Sequence, residues 1–235
     1  MPNASRLFTG RLTALALTTG MLAAAVFVAA ACGGSDTNTG TSMPRAKATA
    51  AASPAASDGW EGAIVTPPIT KPRATLIDTA GRLYDFQKET QGFVTLLYVG
   101  YTHCPDICPQ HMADIADVLK TLPPDVTARI KVVFVTADPD RDTGPVLRKW
   151  LDLFNKSYVG LTGTQAQVDD FQRQLGIQPA KKEDLGGGNY SVSHAAFVIA
   201  YGADNIAHLV YPSGVTKDTW VHDLTKLVKE GWTES

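Results

Sequence analysis

The chain has 235 residues, a length that suits one domain with appendages rather than two domains. Hydrophobic residues make up 44% and charged residues 19%, an ordinary globular balance. A formal net charge of −2 gives no electrostatic basis for a nucleic-acid partner, so that class is set aside.

Residues 1–31 carry Arg6 and Arg11 and no acid, and end in an apolar run over 21–31. A run of this length suits a secretory signal core and falls short of the roughly 20 residues that a membrane span needs. The apolar stretch 12–17 keeps an uncleaved anchor as the alternative. Small residues 28–31 stand directly before Cys32, and a polar low-complexity segment follows, a pattern resembling a bacterial lipobox. The reading is a lipoprotein signal peptide over 1–31, with Cys32 as the lipid-bearing first mature residue. It places the protein at the extracytoplasmic face of a bacterial cell membrane, held there by its lipid. Residues 32–62 read as a flexible tether of Gly, Ser, Thr, Ala and Pro, with a mean reach of roughly 30 Å. The folded domain is predicted over 63–235.

That domain opens with an extended, proline-rich entry over 64–73. Segments 74–78 and 83–86 flank the turn 79–82 as a β-hairpin. Residues 93–99 form an apolar strand that runs into a turn holding Cys104 and Cys108. A helix begins near Cys108 and ends near Leu122, ahead of Pro123 and Pro124, because Pro109 is tolerated only in a first turn. Residues 130–136 are a continuous apolar strand of the kind buried on both faces. The loop 137–143 leads into a helix to about Asn155, capped by Asp142 or Thr143. Thr164 caps a further helix that ends at Gly176. Three consecutive glycines mark 181–189 as a mobile loop. A strand over 193–201, its hairpin partner over 207–211 and a helix over 216–230 close the chain. This order spells an α/β fold: a central sheet with helices on both faces and an added N-terminal β-hairpin. With the thiol pair after the central strand, the arrangement is thioredoxin-like.

Two thiols on a turn at a helix N-terminus carry the chemistry. Unpaired amides there favour the thiolate, so both Cys104 and Cys108 are expected to ionise more readily than a free cysteine. Their spacing allows a disulfide between them, and it equally allows both to bind one soft metal ion. With Cys32 taken by a lipid, the remaining two cysteines form a functional pair, since an exported pair oxidises unless a reductant or a metal holds it.

His194 stands at the entrance of the strand that begins near residue 195. In thioredoxin-like proteins the loop before that strand lies against the thiol turn, and dithiol enzymes usually place a cis-proline there. This chain has Ser193 and His194 and no proline. Two thiolates and an imidazole suit Cu(I) and can hold Cu(II) in a more tetragonal geometry, and zinc would accept the same donors. His103 is placed outside the ligand set, His111 on the helix surface, and His208 and His222 in ordinary roles. Asp138 lies in the loop after a parallel strand and opens on the same sheet edge as Cys104, so it is read as supporting the site or facing a partner.

Residues 100–109 (GYTHCPDICP) resemble the Sco/SenC copper chaperones, as do 135–143 (VTADPDRDT), 160–163 (GLTG) and Ser193-His194. The resemblance covers about 69–228. It implies copper bound by Cys104, Cys108 and His194, in a protein that assists assembly of the dinuclear copper centre of cytochrome c oxidase, with the copper-bearing oxidase subunit as partner. Ser193 departs from the family, which commonly has aspartate there. The alternative function is an extracytoplasmic thiol-disulfide reductase that uses Cys104 and Cys108 alone.

Overall fold

A computed structural model describes residues 59–232. The residues read as signal peptide (1–31), Cys32 and nearly all of those read as tether lie outside the described residues. Among the described residues no helix is long and apolar enough to cross a membrane.

Strand β1 (Ala63–Thr70) is followed by the hairpin β2 (Thr75–Asp78) and β3 (Leu83–Asp85), then by the short helix α1 (Phe86–Glu89). The central strand β4 (Val94–Gly100) leads into α2 (Ile107–Thr121) and the single turn α3 (Pro124–Thr127). Strand β5 (Ile130–Thr136), helix α4 (Gly144–Leu151), strand β6 (Val159–Thr162) and helix α5 (Gln165–Gln174) continue the alternation. The chain ends with strands β7 (Lys182–Gly186), β8 (Asn189–Val192), β9 (Phe197–Tyr201) and β10 (Ile206–Pro212), and helix α6 (Lys217–Lys229).

Eight strands form one sheet in the order β1-β10-β9-β4-β5-β6-β2-β3, and β7 pairs with β8 separately. Strands β4, β5 and β6 run parallel, while β9 joins β4 antiparallel. All seven residues of β4 are buried. Successive side chains of a strand point to opposite faces, so full burial means that both faces of the sheet are covered. The mixed α/β architecture and the added hairpin β2–β3, which extends the sheet beyond β6, agree with the sequence reading.

Helix α2 follows from its sequence. Asp106 caps it, and Pro109 sits in its first turn, where its missing N–H costs nothing. Cys108, Met112, Ile115 and Leu119 recur at three- and four-residue spacing and form its buried face. Met112 and Ile115 are fully buried, each contributing roughly 1.5–3 kcal/mol.

Four expectations are corrected. The folded domain begins before residue 63: Trp60 is fully buried and stacks on Trp232, and Asp223 accepts from the N–H groups of Glu61 and Gly62. The glycine-rich stretch 181–189 belongs to the hairpin β7–β8, because Gly186, Gly187 and Gly188 all take the left-handed backbone that its turn requires. The last inner strand starts at Phe197, leaving residues 193–196 outside the ladder. Thr143 occupies the cap position of α4 but its side chain makes no capping bond, and Asp142 is engaged elsewhere.

Candidate metal centre

Strand β4 delivers the chain to the thiol turn at the carboxyl edge of the parallel strands. The turn is fixed from β5 and the loop beyond it. Asp142, fully buried, accepts from the Thr102 N–H at 2.9 Å, the Thr102 hydroxyl at 2.6 Å and the Thr136 hydroxyl at 2.7 Å. This is why Asp142 caps no helix. Its carboxyl instead ties the residue two before Cys104 to the end of β5. The Ala137 N–H, donating to the Gly100 carbonyl, holds the same two strand ends together.

His194 Nε2 lies 3.4 Å from Cys108 Sγ and 3.8 Å from Cys104 Sγ, and the three ligand atoms all fall within 4.8 Å of one another. Metal–sulfur and metal–nitrogen bonds of about 2.3 and 2.0 Å put the donors of a trigonal site roughly 3.7–4.0 Å apart. The imidazole-to-sulfur distances of 3.4 and 3.8 Å lie close to those that one ion of first-row size requires. Both cysteines are free thiols.

Each ligand is oriented by a neighbour. His194 Nδ1 pairs with the Ala195 carbonyl at 3.1 Å, which places the proton on Nδ1 and leaves the Nε2 lone pair facing the sulfurs. Ser193, where an aspartate was expected, does not support the imidazole. Its hydroxyl accepts from the Lys181 N–H at 2.9 Å and closes the base of the hairpin. The Cys108 N–H points at Cys104 Sγ at 3.4 Å, while the Tyr98 hydroxyl donates to Cys108 Sγ at 3.6 Å. Tyr98 and Tyr101 close the pocket with their rings 6.0 and 5.5 Å from that of His194.

The electrostatics differ from the sequence expectation for Cys108. Burial pushes its thiol well above the ordinary value, against the Tyr101 N–H and Tyr98 O–H, which pull the other way. Its position at a helix start does not compensate for the loss of water. Burial also holds His194 below the ordinary histidine value, so the imidazole is neutral and ready to ligate at neutral pH.

The remaining candidates separate cleanly. Asp138 is buried at the expected sheet edge, but its carboxyl binds Arg141 and the Tyr190 hydroxyl (2.9 Å). The Arg141 guanidinium lies 3.6 Å from the centre of the Tyr190 ring and donates to the Tyr190 carbonyl. Asp138 thus fastens the hairpin that precedes His194, four residues from the ligand. His103 is exposed and contacts Thr102. His111, predicted at the surface, is 3% exposed and packs on Tyr98. His208 stacks on Trp232, and His222 pairs with Asp223. Sequence reasoning gave Tyr98 no role, read Asp142 as a helix cap and placed His111 at the surface. Only the last left a signal: it lies three residues after Cys108 and one before Met112, on the buried face of α2.

The SCO1/SenC family profile matches residues 66–229, which include every residue of the site. The chain belongs to the SCO1/SenC family. Among its relatives, a Stutzerimonas stutzeri protein whose name describes copper binding is 33% identical over 136 residues, covering 57% of this chain and 64% of that one. The chain spans about three fifths of the length of this and similar curated relatives. The structure of Bradyrhizobium japonicum ScoI with copper bound superposes with a TM-score of 0.61 at 27% identity, over 67% of this chain and 98% of the other. Yeast Sco1 with copper bound gives 0.64 at 26%, over 69% and 90%. The thioredoxin-like sheet with its thiol turn is thus the SCO1/SenC fold.

Proposed function

We propose that this SCO1/SenC protein is a copper carrier. Cys104, Cys108 and His194 hold one ion, Cu(I) in a trigonal set or Cu(II) in a more tetragonal one. The ion is passed to the copper-bearing subunit of cytochrome c oxidase during assembly of its dinuclear centre. The observation that carries this reading is the convergence of two sulfurs and one imidazole nitrogen, drawn from positions 86 and 90 residues apart, at metal-ligand spacing. The copper-bound relatives support the identity of the ion, and the oxidase follows from the resemblance to the Sco/SenC chaperones that the family match supports. The protein acts at the extracytoplasmic face of the membrane, attached through a lipid on Cys32, and with the metal absent Cys104 and Cys108 close into a disulfide under oxidant.

The test is copper affinity by chelator competition, with zinc as competing ion, on the wild type and His194→Ala. Copper retention falls steeply in the variant, while disulfide formation persists. Equal affinity in the two proteins sinks the three-ligand site. Disulfide reduction that survives His194→Ala, in a protein that never binds copper tightly, replaces the carrier with a thiol-disulfide reductase. Membrane attachment and processing unchanged in Cys32→Ser refute the lipid anchor.

A further inference from the structure

Residues 193–196 carry His194 but belong to no strand, so their carbonyls find no partner in a ladder. The Ala195 carbonyl is taken by His194 itself. The Ala196 carbonyl is met by His111 Nε2 at 3.4 Å. His111 lies on α2 three residues after Cys108, nearly above it on the same helix face. Its ring is buried and sits 4.9 Å from that of Tyr98, whose hydroxyl reaches Cys108 Sγ. A carbonyl oxygen can only accept, so the ring nitrogen that faces it is the donor, which assigns the proton to Nε2.

We infer that His111 is a positioning residue for the metal centre: by holding the Ala196 carbonyl it fixes the His194 segment against the helix that carries Cys108. Ligands on irregular backbone need such a tie, because a site held loosely loses its geometry before it loses its donors. Without the bond, the segment between β8 and β9 keeps the Ser193–Lys181 tie at its start and the contacts of His194 with the two sulfurs and the tyrosine rings. The metal-dependent part of this inference rests on the copper reading above; the tie itself does not.

The experiment uses the full chain as wild type, His111→Leu and His111→Gln, with His111→Met as a second apolar variant should leucine disturb folding. In the metal-free proteins, amide exchange over residues 193–197 is faster in the apolar variants and returns toward wild type in His111→Gln, which keeps a donor. With Cu(II) added, the apolar variants bind about 10- to 100-fold more weakly. Their paramagnetic resonance spectra lose nitrogen coupling, and His111→Gln recovers both. Disulfide formation between Cys104 and Cys108 is the same throughout. Wild-type exchange and wild-type affinity in the apolar variants overturn the inference. A wild type that takes up no copper removes the carrier reading, and the exchange data alone then decide for or against the tie.

Discussion

Cys108 Sγ and His194 Nε2 stand 3.4 Å apart across 86 positions of chain, and the sulfur is the deeper of the two thiols, at 0% exposure against 8% for Cys104. Depth gives Cys108 its distinct chemistry. Burial raises its pKa, so it carries its proton in the metal-free protein and must release it to bind a metal.

Copper affinity therefore rises with pH. The neutral His194 adds no proton to the exchange near neutrality, and release of the Cys108 proton contributes about a tenfold gain per pH unit. Competition titrations at pH 6, 7 and 8 measure the slope. A pH-independent constant would mean that Cys108 is already a thiolate or is no ligand.

Gly100 is the last residue of β4, and a methyl group there would meet the Tyr98 ring at 2.7 Å, Cys108 Sγ at 2.8 Å and Phe134 at 3.3 Å. Gly100→Ala is expected to cost about 1–3 kcal/mol by overpacking and to push the sulfur away from the imidazole. Urea unfolding and copper affinity should both fall. Unchanged stability would show that the sulfur has room to move.

Asp142 satisfies three donors from inside the fold. Asp142→Ala strands the Thr102 N–H and the Thr136 hydroxyl, a loss of about 2–3 kcal/mol. Chemical unfolding reads the loss, and faster exchange of the Thr102 amide locates it in the thiol turn. If that amide stays protected, the turn is held by other contacts.

Lys71 lies far from the thiol turn, near the start of β4, and is 3% exposed. Its Nζ donates to the Thr90 carbonyl and the Thr95 hydroxyl, and burial lowers its pKa from 10.5 to about 8. Between those values the unfolded chain holds a proton that the native protein lacks. Unfolding free energy due to Lys71 therefore rises with pH across that window and is flat below it. Relative to Lys71→Met, the wild type should gain roughly 2–3 kcal/mol between pH 7 and 10. Taking the difference removes the contributions of Cys108 and the buried tyrosines. A constant difference would place the ammonium in water.

Much of this protein is local, and local physics is legible in a sequence. The apolar runs of β4 and β5, the proline that starts α2 and the Thr164 cap of α5, with its reciprocal Gln167, lie within a few residues of what they determine. The thiol pair is local too, since only three residues of turn and helix separate Cys104 from Cys108. His194 was found by a topological argument, because strand order places the entrance of β9 beside the end of β4.

What the sequence could not decide was how long-range partners share the buried polar groups. Asp142 had the local character of a helix cap, yet two threonines from β5 and the thiol turn claim its carboxyl. Ser193 replaces a family aspartate, and only the folded chain reveals that the Ala195 carbonyl orients His194 in its stead. The helix start argued for easily ionised thiols, but the degree of burial reverses this at Cys108, and burial is a property of the whole fold. Likewise Trp60 looked like the end of a tether until its pairing with Trp232, 172 residues later, brought it into the core. Donor types and elements follow from short-range pattern; solvation and hydrogen-bond assignment are set only when distant segments exclude water from one another.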